Sequence, residues 1–544
     1  MRLLNRLIIV SHRYLGISIS LLVIMWFVSG IFMMYAGGMP RLSAQLRQER
    51  LADLDLARIR LTPADAAGRL ATEGGPGRGR VQLMSLMDRP VYRIGGATVF
   101  ADTGDVLDDV SQRQAQTIVA RFLRVPETQV HHVRTLNEID QWTLQQGRLM
   151  PLYKFAIDDD AGTEAYVQAS TGEIAMLTTR KARGLAWVST IPHWFYFTAL
   201  RDNQPLWLRL VVWTSAAACV LALLGVVLSI TQLRKVRPFS LSKAIPYSGP
   251  MRWHYVTGAV FGVFTLTWAF SGLVSMEPWA WTNAESNGIQ VGRDAFSGGS
   301  PDLSQFAAMD APTWQRLLGG RGIKEVEFAR IQDEHYYVVH QTPQSAPGQS
   351  ITDPRERLHA PYDIIGRAEP DRVLVSAATL AVKSEPFSSD SLLARLETAV
   401  PDAPIVASEL LTDYDSYYYS RSRTTPLPVL RVKFGDPAET WVYVDPEMSQ
   451  VLAQIPYWAR VERWAYNGLH SMDFAFWYKQ PLWDVTMLTL LAGGLASSCL
   501  GLVMGVRRMR RAGTRVVRSL ADAPVASHPQ SALSTTTLEP SAKS

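Results

Sequence analysis

The sequence predicts an α-helical membrane protein with four transmembrane helices, arranged as two duplicated pairs, and two extracytoplasmic α+β domains. Three observations predict it. Residues 14–36, 206–230, 255–275 and 483–506 are each apolar over the roughly 20 residues that a bilayer crossing needs. Basic residues crowd the N-terminus, the short piece between the second and third stretches, and the piece after the fourth. One pattern of spacings occurs in both halves of the chain.

The division that follows is 1–36 for the first span, 37–186 for the first outer domain, and 187–232 for a histidine-bearing approach and the second span. Then come a loop at 233–253, the third span at 254–276, and the second outer domain at 277–463. A second histidine-bearing approach and the fourth span fill 464–506, and 507–544 is a basic, then disordered, tail. The first apolar run exceeds the roughly 7–15 residues of a signal-peptide core, which makes it an uncleaved anchor.

Charge sets the orientation. Arg2, Arg6 and Arg13 precede the first span, and Arg234, Lys235, Arg237, Lys243 and Arg252 fill the loop. Arg507, Arg508, Arg510, Arg511, Arg515 and Arg518 follow the fourth span. Lys and Arg are retained on the cytoplasmic side, so both ends are expected inside and both long segments outside. In a host with two membranes the location is the inner membrane, with the large domains periplasmic. These inner pieces carry fifteen basic residues against Asp522 and Glu539, while the rest of the chain is net acidic. The sequence pI near 9.1 therefore reports attraction to anionic membrane lipid and gives no reason to expect nucleic acid. The two cysteines, Cys219 and Cys499, both fall in spans, which excludes an extracellular disulfide framework.

The repeated pattern begins at "HRYLG" (His12) and "HYVTG" (His254). From each histidine, glycine follows at +4 (Gly16, Gly258), tryptophan at +14 (Trp26, Trp268) and Ser-Gly at +17 and +18. Before the second and fourth spans, a tryptophan precedes a histidine by six residues (Trp187/His193, Trp464/His470). Gln-Pro-Leu-Trp then opens each span, and a glycine stands twenty residues past each proline (Gly225, Gly501).

An ionisable side chain at a membrane boundary is costly unless it faces protein and finds a partner. A single such histidine reads as snorkelling to headgroups, but four of them fall at two matching depths. His12 and His254 stand at the cytoplasmic starts of spans, and His193 and His470 on the outer side. A rise of about 1.5 Å per residue keeps histidines of the same half too far apart to share a metal. Across the halves they are expected to form two pairs, the arrangement that bis-histidine haem ligation needs. Gly16 and Gly258, one turn along the same helix faces, would let a flat macrocycle approach the backbone. Trp26 and Trp268 are expected beside the space between two haems. No G-x-G-x-x-G after a strand and no P-loop occurs, so no nucleotide site is expected.

The long segments read as α+β material. Helices are expected in "LTPADAAGRLA", with Thr62 as cap and Pro63 in the first turn, in "VSQRQAQTIVARFL", and in "SSDSLLARLETAV". Strands are expected in "VYRIGGATVFADTGDVL", "EAYVQASTGEIAML" and "LPVLRVKFGDPAETWVYVDPEMSQVLAQ". "DYDSYYYSRSR" (413–423) reads as an edge strand with aromatic cross-strand pairs. His335 and His340 are expected on opposite faces of one strand, and His131, His132 and His359 at the surface.

On "HRYLG", "HYVTG", the two "QPLW" openings and the hairpins "YVQASTGEI" and "YVDPEMSQV", the chain resembles the PepSY-associated transmembrane proteins, also described as iron-regulated membrane proteins. The resemblance covers nearly all of the chain except the tail. Some members of that family are inner-membrane ferrisiderophore reductases with four spans and histidine-held b-type haems. The resemblance implies haem b, two copies here, and electron transfer to a ferric siderophore or other ferric chelate outside. The electron donor would be separate, a quinol or a flavoprotein. Other PepSY proteins bind or restrain peptidases, so the alternative is a non-redox membrane protein that regulates a peptidase or assists siderophore uptake. The second hairpin departs from the usual pattern by placing Met448-Ser449 where Thr-Gly is expected.

Overall fold

The computed structural model describes residues 2–36, 38–72, 79–238, 240–278, 288–342, 372–419, 425–477, 479 and 481–521. Four of its helices are long and apolar enough to cross a membrane: Arg2–Ala36, Gln204–Thr231, Gly249–Val274 and Leu482–Ala521, spans one to four. Pro205 and Pro250 sit in the first turns of spans two and three, where a missing N–H removes no helix bond. Asn203 caps span two by accepting from the Leu206 amide at 3.1 Å. Span four does not stop at the apolar boundary; the helix runs on through the basic stretch to Ala521. The remainder of the tail, with His528, lies outside the described residues.

Span one packs on spans two and four, and span three packs on the same two. Spans one and three therefore face each other diagonally. Phe27, Ala218, Trp483 and Met487 are buried inside the bundle, whereas Trp213 and Ile230 point outward without protein cover. That division suits helices surrounded by lipid, whose tails solvate apolar side chains as well as a core does.

Between spans one and two the chain forms β1 (Val81–Leu86), β2 (Arg89–Ile94), β3 (Ala97–Phe100), β4 (Val130–Leu136), β5 (Leu152–Ile157), β6 (Glu164–Gln168) and β7 (Ile174–Thr178). Between spans three and four it forms β8 (Ile323–Ile331), β9 (Glu334–Gln341), β10 (Arg372–Ser376), β11 (Ile405–Leu411), β12 (Val429–Phe434), β13 (Trp441–Asp445) and β14 (Gln450–Ile455). β4–β7 and β11–β14 are antiparallel four-stranded sheets in sequence order. The third sheet has the order β10-β9-β8-β1-β2-β3, with Val81 of β1 opposite Phe328 of β8. The two inter-span segments thus share a sheet and one core, built on Leu83, Tyr92, Trp314, Phe328 and Tyr337.

The expected helices form where their caps stand. Thr62 accepts from the Asp65 amide at 3.1 Å ahead of Pro63–Thr72, and Ser111 with Gln114 makes a capping box ahead of Gln112–Leu123. Ser388 caps Ser389–Ala399. Two expectations are corrected. The stretch 427–454, whose pattern reads as a strand, a turn and a strand, contributes three strands, because β13 pairs on both edges. The described part of the tyrosine run, 413–419, is not an edge strand: β11 ends at Leu411, and Tyr418 and Tyr419 are buried. Tyr418 stacks on Tyr443 with ring centres 5.0 Å apart, and the Tyr419 hydroxyl donates to Asp473. Ser449 takes φ 45° where the matching turn has Gly172 at φ 69°, a left-handed conformation that a serine adopts only at a cost.

A charge cluster joins the pieces. Arg47 reaches Glu173, in the turn before β7, at 2.9 Å and Glu325 on β8 at 3.0 Å. Arg93 on β2, nearly buried, also pairs with Glu173. Burial alone would push the Glu173 carboxyl up, but Arg93 and Arg47 outweigh it and hold it below the ordinary range. Elsewhere His131 pairs with Asp158 at 2.7 Å, and the His335 ring accepts from the Asp302 amide at 3.0 Å. His340 is buried, and His359 lies outside the described residues.

Candidate functional site

Four histidines face one another in two pairs. His12 on span one meets His254 on span three, with ring centres 6.3 Å apart and planes at 38°. His193 meets His470 at 6.2 Å and 83°. Ser29, which contacts His193, lies seventeen residues along span one from His12. At helical rise the two levels are about 25 Å apart, close to the thickness of a hydrocarbon core. The His193/His470 level is at the end of the bundle that carries the sheets; the His12/His254 level is at the basic end.

The His12 and His254 rings are held by main chain. His12 Nδ1 donates to the Leu221 carbonyl at 3.1 Å, and His254 Nδ1 to the Ser497 carbonyl at 3.0 Å. Leu221 and Ser497 each lie sixteen residues past the proline that opens their span. One turn further, a Cβ on Gly225 would stand 3.0 Å from His12 Cε1, and one on Gly501 3.3 Å from His254 Cε1. Glycine at these two points lets each imidazole lie against a helix backbone.

The His193 and His470 rings are held by serines. His193 Nδ1 meets Ser29 Oγ at 2.9 Å, and His470 Nδ1 meets Ser271 Oγ at 2.9 Å. Each hydroxyl passes its own proton to a carbonyl one turn back, Trp26 O or Trp268 O, at 3.1 Å. The hydroxyls thus receive the ring protons. Gly30 and Gly272 keep the adjoining space clear; a Cβ there would be 3.7 and 3.9 Å from the ring carbons. The histidine approaches end alike, in Phe195 and Met472, both with φ 52°. The tryptophans of the two Q-P-L-W openings tie down the residue after each histidine. Trp207 Nε1 donates to Trp194 O and Trp483 Nε1 to Ser471 O, both at 2.8 Å. One local difference is a π-helical turn, Trp464–Gly468, directly before His470.

In all four imidazoles the Nδ1 proton is committed, which leaves Nε2 with its lone pair. Burial, reinforced at His193 by the neighbouring His470, lowers the His193 pKa to about 3; burial lowers that of His470 to about 4. Both rings are neutral at physiological pH.

All eight residues singled out from the sequence line a single cavity of about 1260 Å³: His12, Gly16, Trp26, His193, His254, Gly258, Trp268 and His470. That volume exceeds the roughly 300–1,000 Å³ typical of a site for one small ligand. Gly16 and Gly258 keep the wall thin beside Leu221 and Ser497. Trp26 belongs to the sheet-bearing level, since its Nε1 donates to the His193 carbonyl at 3.1 Å, and Trp268 packs edge-on to Phe27. Arg13, Arg507, Arg508 and Arg511 line the basic mouth, and Glu462 lines the other. Spacing alone did not identify Ser29, Ser271, Gly30, Gly272, Gly225 and Gly501 as parts of the site, although all six stand in the repeated pattern.

The fit to a metal can be tested on distance. Two metal–imidazole bonds of about 2 Å each, plus about 1 Å from each nitrogen to its ring centre, require about 6 Å between centres. Both pairs meet that requirement. Among the described residues no three His, Cys, Asp or Glu side chains gather as a metal site. Two facing imidazoles would suit an iron whose remaining positions are filled by a porphyrin.

A profile of the PepSY-associated TM region matches residues 10–492. The chain belongs to that family of membrane proteins. A comparison with curated proteins finds no match.

Proposed function

We propose that this PepSY-associated membrane protein holds two b-type haems and carries electrons across the cytoplasmic membrane to a ferric siderophore or similar ferric chelate outside. The observation behind this reading is the pair of facing imidazole couples, at 6.3 and 6.2 Å, with every Nδ1 proton engaged elsewhere. His12 and His254 would hold one haem, and His193 and His470 the other. Haem supplies one-electron chemistry, with a potential set by axial ligands, hydrogen bonding and burial.

The chain's own residues do the rest. Leu221 and Ser497 orient one couple through carbonyls, and Ser29 and Ser271 orient the other through hydroxyls. Gly16 and Gly258 leave room at the wall, and Trp26 and Trp268 line the same cavity. Arg13, Arg507, Arg508 and Arg511 suit the carboxylates of a porphyrin at the basic mouth. The basic end faces the cytoplasm and anionic lipid, by the retention of Lys and Arg inside, and the sheets lie in the periplasm. The two halves are read as an internal duplication. In the net reaction a quinol or reduced flavoprotein would give up two electrons, and a quinol its two protons, on the inner side, and two Fe(III) would become two Fe(II) outside.

The test uses proteoliposomes with a reduced quinol inside and a ferric chelate plus a ferrous-specific dye outside. Dye colour that depends on the wild-type protein and is lost in His470→Ala is the expected result. Equal colour without protein would overturn the assignment and leave a non-redox PepSY protein that binds a peptidase or assists uptake.

A further inference from the structure

The two levels of the cavity differ in one chemical respect. At the basic end the imidazole protons go to main-chain oxygens, Leu221 O and Ser497 O, which no substitution can remove. At the sheet-bearing end they go to side-chain hydroxyls, Ser29 Oγ and Ser271 Oγ. Both serines are buried, at 1% and 0% exposure, so no water competes for the ring proton. Each hydroxyl is aimed by its own bond to a carbonyl, which leaves an oxygen lone pair pointing at the imidazole. A serine in a helix usually bonds back to its own turn and does nothing more. Here the same bond in both halves sets up a second one, to a residue far away in sequence.

We propose that Ser29 and Ser271 are positioning residues that fix the rotation and the electron-donating strength of His193 and His470, and so tune the haem at the sheet-bearing end independently of the other. The inference rests on the di-haem reading above. Giving up part of the Nδ1 proton increases electron density at Nε2, which favours the more positive, ferric state of a bound iron. Removing the hydroxyl therefore raises the reduction potential at that level. The carbonyl-held level is untouched and acts as an internal control.

The experiment is redox titration of the full-length, haem-loaded protein in detergent, following the visible spectrum. Wild type is expected to show two components. In Ser29→Ala and Ser271→Ala one component moves to higher potential, the other stays, and Ser29→Thr and Ser271→Thr restore the wild-type value. Loss of one haem in the alanine variants, with retention in the threonine variants, supports the same role by occupancy. Alanine variants with both haems present and both potentials unchanged would overturn it. Wild-type protein without haem would instead overturn the reading beneath it, and this inference with it.

Discussion

At the scale of single residues, the proposed chemistry rests on four imidazoles, paired at 6.3 and 6.2 Å, and the groups behind them. Under the proposed assignment His12→Ala and His470→Ala each remove one haem and leave the other, so haem content per chain is halved by either substitution. Pyridine haemochrome assay checks this. Ring geometry adds a second expectation. The imidazole planes cross at 83° in one pair and 38° in the other; if each couple held a haem iron in that rotation, the oxidised protein should give two different low-spin electron paramagnetic resonance signals. A single signal at a haem content of two would contradict the geometry. The histidines could be read from the sequence because an ionisable residue at a span end invites a question, and four at repeated spacings narrow the answer. Ser29 and Ser271 could not be read as ring partners, although they were counted in the pattern. A serine followed by glycine inside a span reads first as a small-residue packing face. Its role depends on which face meets a ring 164 or 199 residues later.

At the scale of elements, short irregular pieces place the rings. Each histidine approach is a brief helix closed by a left-handed residue, Phe195 or Met472, and fastened by the tryptophan that opens the following span. Trp207→Phe keeps the ring but leaves the Trp194 carbonyl without its donor. A cost of about 1 kcal/mol is expected, read as weaker haem retention at the sheet-bearing level in a dilution assay. In the sheet-bearing part, Arg124 ends helix Gln112–Leu123 at φ 59° with its side chain exposed. Arg124→Gly relieves that conformation, partly offset by the greater freedom of the unfolded chain, and should stabilise by roughly 0.5–1 kcal/mol in thermal unfolding. Caps at Thr62, Ser111 and Ser388 made these helices legible. The tyrosine run misled, because aromatic alternation looks the same whether the rings pair across strands or turn inward to Tyr443 and Asp473.

At the scale of the whole molecule, the two inter-span segments are not independent. β1 and β8 pair across more than 240 residues, and Arg47, Arg93, Glu173 and Glu325 bind helix, turn and shared sheet together. Strand alternation shows that a segment is a strand but not which distant strand it will join, so the shared sheet was not legible. Glu325→Gln leaves Arg47 with one carboxylate fewer at a mostly buried site and should destabilise by about 2 kcal/mol. The cluster also carries a pH dependence. Glu173 is held below its ordinary 4.5, so the unfolded chain takes up this proton first as pH falls. Its contribution is complete above pH 4.5 and is lost as pH drops through the lower folded value. Thermal unfolding followed between pH 5 and pH 3 should show that loss, and Glu173→Gln should flatten it. The four spans and the repeated spacings were legible as patterns of apolar and punctuating residues.

The most direct measurement is the haem content of the purified full-length protein after expression with ample haem, with oxidised and reduced spectra. The account predicts two b-type haems per chain, both low-spin and six-coordinate. Colourless protein, or haem retained equally by a variant lacking all four histidines, would contradict it.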